Sequence, residues 1–361
     1  MTPAALLKRA LYWAGVVGPA RRADVAWILT YHSVSDDGTA ATYAGPGIVV
    51  PPVVFERHVR FLARTCRIVS LDALAAWLAG DLPLAGPAVA ITFDDGYRDN
   101  YAHAYPILRR YGATATFYVV TEAIGDAEPL WTAELRGLLL RARARGVPVP
   151  RIGDHPVDVG DPAALRRTIR GMGRILRAVD RATRRGLLAE LRARLGPPDG
   201  PPAVMMTWDE LREMHRGGMT IGSHTMSHPA LTEIPPAEAA REIAGSRARL
   251  EAELDAPVTH FAYPNPGACV HVDEAVKALV REAGYSTART SSKGPVTPGA
   301  DLLALPTLGV SNRHDHPAHL AWMLSARAGP VRRPASAGAP GVTRAPSTAP
   351  APGAERAEET R

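Results

Sequence analysis

Two hydrophobic rhythms alternate along this chain. Short, nearly continuous apolar runs recur at 27–32, 88–93, 115–120, 219–223 and 260–264, with briefer ones at 67–70, 286–289 and 305–310. Runs of that length read as buried strands. Between them lie stretches with helical spacing. In 53–62, Phe55, Val59 and Leu62 fall on one face; 71–78, 100–111 and 236–254 read the same way, the last with Pro near its start, where Pro is tolerated. A further helix over 272–283 ends at Gly284, a common residue just past a helix. Gly, Thr and Pro mark 36–47 as a loop. Repeated strand–helix units predict an α/β fold with a parallel sheet, open or closed.

The segment 134–200 breaks this pattern. It carries fifteen Arg against seven acids and predicts two or three helices around a Gly/Pro/Asp turn at 153–162. Arg166, Arg167, Arg170, Arg174, Arg177 and Arg181 recur at helical spacing, opposite Leu165, Ile169, Met172 and Leu176. A charged face of this kind is expected to be a solvated helical lid; a basic platform for an acidic polymer or a membrane surface is the alternative. From about 327 onward, Ala, Pro, Gly, Ser and Arg dominate, a composition that predicts disorder. At the other end, an apolar run over 11–18 follows Lys8 and Arg9 and precedes Arg21 and Arg22. It is too short to span a bilayer and predicts an amphipathic lead-in helix. The expected organisation is a lead-in helix in 1–24, a barrel over 25–325 with an insertion at about 134–200, and a disordered tail over 326–361.

Composition changes little. The formal charge is +6 and the pI about 9.5. Only Lys8, Lys277 and Lys293 are lysines, so the excess is an Arg bias spread over the chain rather than a binding patch, and no nucleic-acid partner is expected. Cys66 and Cys269 form no CxxC pair and read as ordinary small residues. No run reaches the length of a transmembrane helix, which points to a cytoplasmic or membrane-peripheral protein and leaves export and oligomeric state open.

The chemistry concentrates at two places. The strand at 88–93 ends in Asp94, Asp95 and Gly96, and adjacent carboxylates repel unless a cation or shared proton relieves them. A second cluster, His224 and His228, supplies two imidazoles four residues apart. One Asp and two His suit zinc or a similar divalent metal with positions left open. The second Asp is then free to act as a base on water. Taken alone, paired Asp after a strand often serves as a turn or cap, and two His four apart are often unconnected.

These motifs resemble the polysaccharide deacetylase family (NodB homology, carbohydrate esterase family 4), and in particular its exopolysaccharide-type members. Thr92-Phe93-Asp94-Asp95-Gly96 is similar to the family's TFDDG motif, and the segment from His224 to His228 to its H-[ST]-x-x-H motif. Phe261-Ala262-Tyr263-Pro264 with Gly267 resembles the third motif, Tyr31-His32-Ser33-Val34 a Y-H-x-V opening, and the helix beginning at Trp208 the one before the His motif. The resemblance covers roughly residues 25–312. It implies a distorted (β/α) barrel with fewer than eight strands, a metal held by Asp95, His224 and His228, and Asp94 as catalytic base. It also implies an oxyanion donor at a backbone N–H near Tyr263 and a His acid. Ser223, Thr225 and Ser227 are expected to orient the imidazoles or form turns. The implied substrate is an N-acetylated polysaccharide or oligosaccharide. Other amides, such as a cyclic imide or a peptidoglycan-related substrate, and a non-catalytic carbohydrate-binding barrel are the alternatives. Two departures stand out. The family's third motif often carries an Arg that pairs with the catalytic Asp; 261–267 has none, so no Arg–Asp94 bridge is expected. The late Leu-x-His motif is also imperfect, leaving His314, His316 and His32 as competing candidates for the acid.

Overall fold

The computed structural model describes residues 3–16, 18, 24–84, 86–126, 129–195, 204–264 and 271–325. The expected tail at 326–361, and Gly267 and Cys269 of the third-motif region, lie outside the described residues. The chain opens with α1 (Pro3–Trp13), then β1 (Ala26–Tyr31), β2 (Ser33–Val34), a short α2 (Gly38–Tyr43) and β3 (Val49–Val50). Next come α3 (Pro52–Thr65), β4 (Arg67–Ile68), α4 (Leu71–Ala79) and β5 (Ala88–Phe93). A widened turn at Asn100–Ala104 leads into α5 (Tyr105–Arg110) and β6 (Thr116–Val119).

The insertion forms α6 (Trp131–Arg145), a small hairpin of β7 (Arg151–Ile152) and β8 (His155–Pro156), α7 (Pro162–Ala178) and α8 (Arg181–Leu195). The barrel resumes with α9 (Trp208–Arg216), β9 (Thr220–Ser223), α10 (Pro236–Leu254), β10 (His260–Ala262), α11 (Glu274–Glu282), β11 (Thr287–Arg289), β12 (Leu308–Gly309) and α12 (Pro317–Met323). α2, the β7–β8 hairpin and α12 had no counterpart in the sequence pattern.

The main sheet runs β11-β10-β9-β6-β5-β1-β12, with β4 also pairing β5, and its pairings are parallel. Leu305, just before β12, bridges Arg289 at the end of β11. One segment therefore touches β11 on one side and β1 on the other, and draws the sheet into the distorted barrel expected.

Strand side chains alternate between faces. Trp27, Leu29 and Tyr31 with Val89, Ile91, Phe93, Phe117 and Val119 pack outward in the large helix-covered core. Ala26, Ile28, Ala88, Ala90, Tyr118 and Ala262 pack in a second cluster inside the barrel, with Leu71 and Leu74 of α4. Continuing that parity places Thr30 and His32, Thr92 and Asp94, and Arg289 on the interior side. The insertion buries its own core, with Leu135, Leu139, Leu165, Met172, Leu176, Leu188 and Leu191 at its centre.

Candidate active site

Everything begins where β5 ends. Phe93 stacks on Tyr31 and Phe117, with ring centroids 5.5 and 4.6 Å apart, and so fixes the strand end that carries Asp94 and Asp95. The Asp94 N–H donates to the Tyr31 carbonyl at 3.0 Å, the last ladder bond to β1. The chain then turns sharply: Asp95 has φ 76° and Gly96 φ 90°. A Cβ on Gly96 would lie 3.0 Å from Ile124 and 3.2 Å from Val119, so both conformation and space require glycine there.

Asp95, His224 and His228 each offer one ligand atom, all within 4.8 Å of one another. His224 Nε2 lies 3.7 Å and His228 Nε2 3.4 Å from Asp95 Oδ1. The two rings meet edge-on, centroids 4.9 Å apart. His224 Nδ1 is 2.7 Å from the Ala262 carbonyl. A carbonyl only accepts, so Nδ1 carries the hydrogen and Nε2 turns its lone pair toward Asp95. In the third motif, then, the atom that matters here is the Ala262 oxygen.

The loop between the two imidazoles is strained and held. Thr225 (φ 69°) and His228 (φ 60°) join Asp95 among the four non-glycine residues with positive φ in the described residues. Such conformations cost about 1–3 kcal/mol each and persist only where surroundings enforce them. Here Thr225 Oγ1 accepts the His228 N–H at 2.9 Å. Buried Glu242 accepts the N–H groups of Met226 and Ser227 at 2.9 and 2.8 Å and the Ser227 hydroxyl. Arg184, only 3% exposed, donates to Ser227 Oγ at 2.7 Å, and Trp131 Nε1 donates to the His228 carbonyl at 2.9 Å. Ser223 bonds Ser246 at 2.6 Å. The Ser and Thr side chains thus fix the loop backbone rather than the imidazole rings. Arg184 and Trp131 come from the insertion, whose inner side is packed on this loop rather than wholly solvated.

The electrostatics match a cation site. Burial pushes the Asp95 carboxyl up to about 7, opposed by a hydrogen bond from Tyr97. Burial pulls His224 down to about 4 and His228 well below its ordinary value, the latter helped by His224, Arg184 and His32. Two neutral imidazoles and a desolvated carboxyl aim lone pairs at one point. His228 Nδ1 is buried without a partner. One oxygen and two nitrogens are a donor set that zinc and similar divalent metals accept, so the residues fit such an ion.

Asp94 corrects a sequence expectation. An Arg–Asp94 bridge does exist: Arg289 Nη2 donates to Asp94 Oδ1 inside the barrel, both groups buried. The Arg comes from the end of β11 instead of the third motif, and its guanidinium lies 5.0 Å from the Tyr118 ring centre. A charged residue closing a strand whose interior parity matches Asp94 was the signal available in the sequence. On the other side of Asp94, His32 Nε2 lies 3.7 Å from Oδ2. Asn100, buried and also unread from sequence, donates from Nδ2 to the His32 carbonyl at 2.8 Å. Burial, then the charges of Arg289 and His224, take the His32 imidazole down to about 3, so it is neutral.

Three candidates fall elsewhere. The Tyr263 N–H donates to the Arg289 carbonyl at 3.2 Å and its hydroxyl to the Leu303 carbonyl at 2.9 Å. Both of Tyr263's own donors are thus engaged in structure. His314 contacts Ser311 and His319, and His316 contacts Tyr12, Trp13 and Ala318. Those partners belong to the α1–α12 corner and not to the Asp94 cluster, leaving His32 as the histidine beside Asp94.

The polysaccharide deacetylase family profile matches residues 82–165 and 182–288, just over half of the chain. YxkH of Bacillus subtilis (strain 168), whose name places it among polysaccharide deacetylases, is 34% identical over 110 residues. That match covers 30% of this chain and 37% of the relative's length. Among solved structures, the Streptococcus pyogenes deacetylase PplD, determined in complex with acetate, superposes with TM-score 0.56 at 19% identity, covering 83% of this chain and 98% of that one. IcaB from Ammonifex degensii gives TM-score 0.54 at 18% identity, covering 85% and 100%. At such identities the structural likeness speaks for the fold. With the profile match spanning both the TFDDG segment and the His pair, this chain belongs to the polysaccharide deacetylase family.

Proposed function

We propose that the protein is a metal-dependent hydrolase that removes N-acetyl groups from amino sugars of a polysaccharide or its precursor. The observation that carries this reading is the meeting, at one end of the barrel, of a three-ligand cluster with a second carboxylate that has its own cationic partner. Asp95, His224 and His228 would hold the divalent ion, zinc or a close equivalent. Such an ion, when bound, polarises an amide carbonyl and lowers the pKa of water.

The chain's own groups do the rest. Arg289 fixes the Asp94 carboxylate through Oδ1 and leaves Oδ2 facing His32. Asp94 Oδ2 accepts the proton released by the attacking water. That proton then moves to the sugar nitrogen as the C–N bond breaks, giving acetate and a free amine. His32 is neutral, with one ring N–H and no second, acidic proton, so it can act as an acid only after Nε2 takes up the proton that Asp94 has accepted and passes it to the leaving nitrogen. His224 and His228 stay neutral and keep their lone pairs available. Arg289 also supplies the cationic partner for Asp94 that the third motif lacks, which supports a catalytic reading over a non-catalytic carbohydrate-binding barrel.

The test is acetate release from N-acetylglucosamine oligomers by the purified protein. Release should require added zinc or another divalent metal, stop with a chelator, and be abolished by Asp94→Asn. Turnover by Asp94→Asn at the parent rate would rule out Asp94 as the base. Chelator-insensitive release would rule out the metal.

A further inference from the structure

We propose that α1 is a docking element for an anionic lipid surface, lying on the bilayer rather than crossing it. The reading does not depend on the hydrolase assignment. Six large hydrophobic side chains are exposed among the described residues, and four of them, Leu6 (51%), Leu7 (59%), Trp13 (75%) and Val16 (58%), lie in this one short segment. Leu6, Leu7 and Trp13, with Ala10, also exposed, share one apolar face at helical spacing, and the exposed Ala14 and Val16 extend the apolar segment just past the helix end.

The orientation is the reverse of an ordinary surface helix. Both charged residues of α1 turn toward the protein body: Lys8 Nζ lies 5.5 Å from the Trp322 ring of α12, and Arg9 pairs with Asp315 at 3.0 Å. Tyr12 packs edge-on against Phe61 of α3, at 5.9 Å, and locks the helix in place. The apolar face is therefore presented by packing that spends the local charges inward. No described helix is long and apolar enough to cross a membrane, so a shallow interfacial position is what this geometry allows.

The neighbouring charge selects the surface. On α3, Arg57, Arg60 and Arg64 recur at i, i+3 and i+7 and are all exposed. This stripe is on the helix that α1 packs against: Phe61, which Tyr12 meets, directly follows Arg60 in α3, and His316 contacts both Tyr12 and Trp13. Asp315, an acid at this corner, is already held by Arg9. An apolar helix face beside a row of unneutralised arginines matches acyl chains flanked by anionic headgroups. A second copy of the chain would bring the two Arg rows together, which disfavours it as the occupant.

The experiment is co-sedimentation of the full-length protein with vesicles of phosphatidylcholine alone or with one third phosphatidylglycerol. The protein should bind the anionic vesicles at least about tenfold better, and lose that advantage as salt rises. Leu7→Glu combined with Trp13→Glu should reduce binding tenfold or more; both side chains are exposed, so the fold, checked by circular dichroism, stays intact. Arg57→Gln with Arg60→Gln should weaken binding and flatten its salt dependence. Equal binding to neutral vesicles overturns the anionic surface. Unchanged binding by the Leu7/Trp13 variant overturns the role of α1. A dimer that this variant converts to monomer, with no vesicle binding by the parent, would replace the bilayer with a second copy.

Discussion

A buried ion pair is asymmetric: removing one partner leaves the other stranded in a medium that cannot solvate it. Arg289 and Asp94 are such a pair. Replacing Arg289 with Met should cost about 3–5 kcal/mol in urea unfolding. It should also lower kcat about 100-fold with little change in KM, because Asp94 loses its fixed position. Arg289→Lys keeps the charge and loses the planar fork, so it should recover stability more than rate. Arg289→Met combined with Asp94→Asn should regain stability without activity; if it is no more stable than Arg289→Met alone, the pair is not what the single change breaks. The same pair marks the limit of motif reading. Asp94, Asp95, His224 and His228 stand in short runs whose chemistry is visible locally. Arg289 is 195 positions from its partner and meets it only through the barrel's closure. The third motif shows the complement: its run was visible in the sequence, and the atom in it that reaches His224 is the Ala262 carbonyl oxygen.

Among the elements, the Arg-rich insertion is where charge pattern misleads most. Its outer arginines fit a solvated face, as their spacing suggests. Arg184 sits in the same pattern yet is buried against Ser227 and 5.6 Å from the Trp131 ring, and nothing in its spacing separates it from its neighbours. Further ties run from the insertion to the barrel: Arg177 to Glu233 at 3.3 Å, Arg181 to Glu122 at 2.6 Å, and the Arg181 N–H to Glu238 at 3.2 Å. The insertion is thus coupled to the loop that spaces His224 and His228. Arg184→Met should weaken divalent-metal affinity about 10–100-fold, the usual effect of removing a group that orients ligands. Titration calorimetry with zinc measures it, and circular dichroism should show the helices retained. Unchanged zinc affinity would make the insertion a separate appendage. The strands and long helices were legible because their apolar periods are strong. α2, β7, β8 and α12 were not, because elements of two to seven residues are set by tertiary contacts rather than by a repeating pattern.

For the whole molecule, the balance of buried histidines sets its response to acid. His58 of α3 is fully buried, with Nδ1 3.2 Å from the Tyr31 hydroxyl. Burial pulls its pKa from 6.5 to about 3, partly opposed by a backbone hydrogen bond with His314. His314 is itself pulled to about 4 by burial, then by His319. In the unfolded chain these groups take up protons near pH 6.5, whereas in the folded chain they wait until about 3 to 4. Between those values the unfolded state binds more protons, so stability rises with pH across the window. The contribution is complete above about pH 6.5 and drains away on acidification. For His58 alone the loss by pH 4 is about 3 kcal/mol. Urea melts at pH 7, 6, 5 and 4 should therefore show a steep decline, and His58→Gln, which keeps a hydrogen-bonding group toward Tyr31 but does not titrate, should flatten it. A variant with the parent's slope would move the acid sensitivity away from the corner where α3 meets β1 and the segment leading into α12.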